Sequence, residues 1–268
     1  MSSIVNGGTL NLYNVRLTRA DADSTVNSGG INVINSGRLY MNAGSEISNN
    51  RIGASGGGVF LDGSTFTMND GTIYNNEAAI NGGGVFLTGA NSTFTMTGGY
   101  IRDNRSLATS GPQGGGGVAL TNSATFTMSG ETEISHNTST RAGGGVLVST
   151  SVTASAEFIM LNGRILNNTS YTEAGGGVRV VGTSQFTMHD GTISGNYNHF
   201  YGGGGVHVNN TANFDMLGGI ISNNTATSNS GNHGGGGVRV GHTATFNMSG
   251  GLIYNNNAHG GGGIRLVG

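Results

Sequence analysis

The sequence predicts an all-β protein, a parallel β-helix of about nine coils with three short strands per coil, and three observations carry that prediction. Eight methionines, Met41, Met68, Met96, Met128, Met160, Met188, Met216 and Met248, share one position of one repeating unit, leaving only Met1 outside it. Around each of them the unit reads Gly-Gly-Gly-Val-x-Val, a turn and Phe-x-Met, followed by an Ile and, three residues later, an Asn. The same residue types return at each turn while no single unit can enclose a core, so like must stack on like.

The first strand of each coil is marked by apolar pairs two residues apart, the spacing that puts both side chains on one face of a strand. They are Ile31/Val33, Val59/Leu61, Val85/Leu87, Val118/Leu120, Val146/Val148, Val178/Val180, Val206/Val208, Val238/Val240 and Ile264/Leu266. The second strand pairs each methionine with Leu39, Phe66, Phe94, Phe126, Phe158, Phe186, Phe214 or Phe246 two residues before it. The third carries Ile47, Ile73, Ile101, Ile134, Ile165, Ile193, Ile221 and Ile253. With coils roughly 4.8 Å apart, Phe meets Phe and Met meets Met along a narrow interior.

The polar repeats mark the corners. Asn50, Asn76, Asn104, Asn137, Asn168, Asn196, Asn224 and Asn256 form a column whose amides can bond from coil to coil, and asparagine tolerates the left-handed backbone of a turn. The glycine runs mark a tight bend needing positive φ or close backbone approach. No helix follows them, which argues against a phosphate cradle. One domain spans 1–268, with an irregular N-terminal coil at 1–30, regular coils at 31–263 and an incomplete final coil at 264–268.

Composition narrows the function. The 268 residues include 53 Gly, one Pro and no Cys, which excludes disulfides and thiolate chemistry, while 35% hydrophobic residues allow an ordered core. A net charge of -2 provides no broad field for nucleic acid. No stretch approaches the roughly 20 apolar residues of a membrane span, and Met1-Ser2-Ser3-Ile4-Val5 does not read as an export signal.

The pairing of Gly-Gly-Gly-Val with Ile-x-x-Asn, as in Ile73-Tyr74-Asn75-Asn76 and Ile101-Arg102-Asp103-Asn104, resembles the paired tetrapeptides of polymorphic outer membrane proteins. Those read Gly-Gly-Ala-Ile/Leu/Val and Phe-x-x-Asn, so glycine here replaces the alanine and isoleucine the phenylalanine. The resemblance covers nearly the whole chain. It implies a right-handed β-helix of an adhesin or autotransporter passenger, extracellular or on a bacterial cell surface, and the crossover rule agrees with that hand.

Functional candidates lie where the repeat varies. Linkers lengthen at Arg105–Gln113 and Thr225–His233, and a further elongation at Ser149–Glu157 lies between first and second strands. The outward residue of Gly-Val-x-Val runs Phe60, Phe86, Ala119, Leu147, Arg179, His207, Arg239 and Arg265, changing from apolar to cationic midway. Like charges stacked on neighbouring strands repel. Adjoining segments add Tyr171, Tyr197, His199, Phe200, Tyr201, His233 and His259, so that cations and aromatics would share a face suited to glycans or acidic sugars. Solvated arginines beside aromatics that cover the bend are the alternative. The apolar half of the column is either an exposed partner surface or covered by a neighbouring segment.

Other chemistries find less support. Six of the seven histidines, all but His136, lie from His189 onward without the spacing of a zinc site, so neither metal nor cofactor is expected. Acidic residues do not cluster, Glu173 near Arg179 and His199 being the one candidate constellation for a polysaccharide-degrading enzyme. Thr65/Thr67, Thr93/Thr95 and Thr125/Thr127 resemble the arrays of β-solenoid ice-binding proteins over three coils only. At the chain ends, Ile264 and Leu266 supply one strand of a new coil while Leu10, Leu12, Val15 and Leu17 resemble the other two, so the ends could complete one another and build fibres. The expectation is a non-enzymatic, adhesin-like structural module whose partner is another copy of itself, a surface glycan or a host protein; polysaccharide binding or degradation is the alternative.

Overall fold

The computed structural model describes residues 3–18, 29–150, 154–228 and 234–268. Parts of the N-terminal coil and of the elongations at Ser149–Glu157 and Thr225–His233, including His233, lie outside the described residues. Among those described there is no helix, and the strands stack in parallel into a β-solenoid of about nine coils.

The first-strand column runs in unbroken sequence order from Ser3–Asn6 to Ile264–Val267, ten strands in all. The Phe–Met and Ile columns belong to one sixteen-stranded sheet, because in two coils they merge into the continuous strands Thr93–Arg102 and Thr125–Ser135. A third sheet was not anticipated. It comprises eight two-residue strands just after the ladder asparagines, from Arg51–Ile52 to Asn257–Ala258. Apart from half-buried Ile52, their inward residues, among them buried Ala78, Ser106, Ser139, Ser170 and Asn198, are small or polar, so no apolar period announces them.

Register is set by the interior. Phe66, Phe94, Phe126, Phe158, Phe186, Phe214 and Phe246 are aligned coil over coil. Their rings stack with centroids 4.6 to 4.9 Å apart and planes within 14° of parallel. A slip of one residue would turn every inward side chain outward. Repeats of 26 to 33 residues keep this register, since the additional residues leave the strands as loops.

The asparagine ladder is saturated. Asn168 Oδ1 accepts from both N and Nδ2 of Asn137, while Asn168 Nδ2 donates to Asn196 Oδ1 and to the carbonyl of Ile134. The left-handed conformation belongs to the residue before it: Asn49, Asn75, Asp103, His136, Asn167, Asn223 and Asn255 have φ between 52° and 58°. The repeat pattern alone points to the ladder asparagines for that role, and the structure moves it by one residue. A side chain that must turn inward to bond two coils sits on extended backbone, and the turn falls one residue earlier.

In the glycine run the two sequence-level requirements divide between neighbours. Gly143 has φ +59°, whereas a Cβ on Gly144 would lie 2.5 Å from the Gly176 carbonyl oxygen of the next coil. The first glycine permits the turn and the second permits the coils to touch.

Candidate functional site

The glycine turn decides what happens to the outward column of the first sheet. Phe60, Phe86, Ala119, Leu147, Arg179, His207, Arg239 and Arg265 are indeed successive partners. They do not all face solvent. Phe86, Ala119 and Leu147 pack with Val181 and with Ala142, which lies in the segment ahead of the glycine run, and Phe60 packs against this second small core. The apolar half of the column is therefore covered, and the reading of it as an exposed partner surface is corrected.

The cationic half is covered as well. Arg179 is 6% exposed and His207 2%, so these two do not lie on an open binding face as expected, while Arg239 and Arg265 are half-buried. Two devices make a stacked cationic column tolerable. Glu173 bridges two guanidinium groups, its Oε2 3.0 Å from Arg179 Nη1 and its Oε1 2.6 Å from Arg141 Nη2. His207 carries no charge at neutral pH, because burial holds its imidazole well below the usual range and Arg179 and Arg239 push it further in that direction. Burial also lowers the Arg179 guanidinium, opposed by the Glu173 carboxylate, and lowers Arg239, helped by Arg265 and Arg179.

Arg141 was absent from the sequence-level candidates. It and Glu173 stand two residues before Gly143 and Gly175, equivalent places in adjacent coils, and the Glu173 amide donates to the Arg141 carbonyl oxygen at 3.1 Å. Opposite charges at the same repeat position were the available signal. Beside this bridge lies a cavity of about 250 Å³, with Thr150, Asn209 and Asn210 in its wall.

The aromatic residues form a separate, more open feature. Tyr171 stacks on His199 of the next coil, with centroids 4.8 Å apart and planes 17° from parallel, and Tyr197 meets His199 edge-on at 4.6 Å. Tyr171 and Phe200 are 47% and 48% exposed, His199 is exposed, and Phe200 stands edge-on to half-buried Tyr201 at 4.8 Å. The predicted face therefore divides into a covered Arg/Glu/His column and an open aromatic edge. His199 contacts these rings, while both carboxylate oxygens of Glu173 bond arginines. No group of His, Asp and Glu suited to a metal ion occurs among the described residues.

Ser3–Asn6 pairs with Ile31–Ile34 in the first column, ahead of Thr9–Leu12 and Arg16–Thr18, so the first coil already holds all three expected strands. Leu12 is buried, Leu10 and Leu17 are half-buried, and Val15, Ile264 and Leu266 are exposed. Leu10, Leu12, Val15 and Leu17 thus follow a first strand of their own coil, and Ile264–Val267 pairs with Val238–Gly241 in the first column.

Protein-family models, curated proteins and solved structures contain no match to this chain.

Proposed function

We propose that this chain is a non-enzymatic, adhesin-like β-solenoid module of the polymorphic outer membrane protein type, acting outside the cell or on a bacterial surface, which binds glycans along its aromatic edge. The observation that carries the proposal is the exposed stack of Tyr171 on His199 with Tyr197 edge-on. Rings held rigid at coil spacing offer an apolar platform with polar tips, which suits the face of a sugar, and their positions are set before any ligand arrives.

The test is a titration of the whole chain against a panel of neutral and acidic polysaccharides. The Tyr171→Ala, His199→Ala double variant weakens binding at least about tenfold in this reading. Unchanged binding in that variant overturns it. The polysaccharide-degrading alternative predicts turnover that Glu173→Gln abolishes; since both Glu173 oxygens already bond arginines, binding without product is expected.

A further inference from the structure

We propose that the cavity beside Arg141 and Arg179 binds the carboxylate of a single hexuronic acid residue, a site distinct from the aromatic edge; this rests on the glycan-binding reading and names its ligand class. Charge is the first observation. Among the described residues Glu173 is the only carboxylate paired with either arginine, so the trio keeps one unit of positive charge. The next residue in the column, His207, is neutral and adds no anion.

The second observation is unused hydrogen-bonding capacity. Arg179 Nη1 bonds Glu173, and Arg141 bonds Glu173 and the Thr109 carbonyl, which leaves Arg179 Nη2 without an acceptor among the described residues; the Nε atoms of both arginines also lack one but are closed to solvent and out of a ligand's reach. A guanidinium edge that the protein leaves unpaired matches a carboxylate in geometry as well as charge. A column that only supported the fold could have continued as it began, since Leu147 fills the same place one coil earlier with no desolvated charge.

Size and wall chemistry set the rest of the ligand. The cavity of about 250 Å³ is open to solvent and has room for one sugar unit beside the arginines. Thr150, Asn209 and Asn210 also line the cavity; Thr150 Oγ1 already bonds the Val181 carbonyl and the Thr183 amide, and Asn209 Oδ1 meets His242 Nδ1, which leaves Asn209 Nδ2 and the Asn210 side-chain amide for the hydroxyls flanking a carboxylate.

The test is calorimetric titration of the full chain with glucuronate, glucose and acetate. Saturable binding of glucuronate, with glucose and acetate each at least about tenfold weaker, is expected. Arg141→Gln should weaken glucuronate by about tenfold, with Arg141→Lys recovering part of the loss because charge returns without the fork. Asn210→Gly tolerates the backbone at φ +63° and leaves the Arg–Glu bridge intact, so a threefold weakening, roughly one lost hydrogen bond, provides a second reading even if Arg141→Gln misfolds. No saturable glucuronate binding, acetate as tight as glucuronate, or affinity unchanged in both Arg141→Gln and Asn210→Gly overturns the proposal. Polysaccharide binding that depends on Tyr171 but not on Arg141 or Asn210 would remove this site and leave the aromatic-edge reading standing; glucuronate binding lost in these variants but indifferent to Tyr171 would do the reverse.

Discussion

Arg239 Nη1 lies 2.8 Å from Nε2 of buried His207. Because a guanidinium can only donate, Nε2 accepts and the imidazole proton sits on Nδ1, which has no acceptor among the described residues. Protonating Nε2 would break that bond and place a cation between Arg179 and Arg239. The folded state therefore holds His207 neutral at pH values where the unfolded chain, near its ordinary value of about 6.5, takes up a proton.

The sign follows from proton uptake. With more protons bound in the unfolded state, stability is unaffected above that value and falls as pH drops through it, by up to about 1.4 kcal/mol per pH unit for one group. Chemical denaturation between pH 7.5 and 5 should show this loss in the native chain and less of it in His207→Gln. Equal slopes in the two proteins would show that His207 does not titrate differently on folding.

The Arg141–Glu173–Arg179 bridge predicts a specific non-additivity. Glu173→Gln removes the counterion of a buried guanidinium and should destabilise by about 3 kcal/mol. Adding Arg179→Leu, which extends the apolar column from Leu147, should recover most of that. If the double variant is as unstable as the single one in urea melts, the column is not under charge stress.

In the ladder, Asn168→Ala removes the acceptor of two donors on Asn137 and the amide donor to the Ile134 carbonyl inside the core, while Asn196 Oδ1 keeps the backbone N–H of residue 168. The expected loss is about 3 kcal/mol from several modest bonds and their desolvation. A loss below about 1 kcal/mol would mean that water or a neighbouring group replaces the amide.

Gly191→Ala tests the packing of the methionine column. Gly191 has φ +102°, and a Cβ there would stand 2.6 Å from both the Met160 methyl and the Gly163 carbonyl oxygen of the coil before. Backbone strain and overpacking together should cost about 3 kcal/mol or more. A thermal midpoint within a degree or two of the native chain would contradict the close approach.

Negative-stain microscopy addresses assembly. Joining Ile264–Val267 to Ser3–Asn6 of a second copy would leave Thr245–Met248 and Thr9–Leu12 two coil spacings apart, with a void between them. Discrete rods of roughly 45 Å, nine coils at about 4.8 Å, are expected. Continuous filaments one solenoid wide would show that the ends bridge that step.

The inward columns were legible without coordinates, because Val, Phe, Met and Ile recur at fixed repeat positions and strand alternation fixes which side chains share a face. The asparagine ladder was legible for the same reason. Less was legible where the repeat carries no apolar signal: all but the first of the two-residue strands present Ala, Ser or Asn inward, and the left-handed position moves by one residue from Asn168 to Asn167. The candidate residues were found in part. Arg179, His207 and the aromatics stood out by departing from the repeat, while Arg141 did not, its one signal being the opposite charge of Glu173 at the same place of the next coil.

The sequence by itself determined the solenoid, its register and the composition of its interior, since these depend only on period and on like stacking over like. Tertiary structure decided what the outward residues do. Strand alternation can say that Arg179 points away from the core, but not that the segment ahead of the glycine run packs over that column, buries it, and brings Arg141 and Glu173 from adjacent coils into one bridge. Whether an outward charge is solvated or buried depends on how irregular segments fold over a regular surface, and a repeat encodes nothing about its own exceptions.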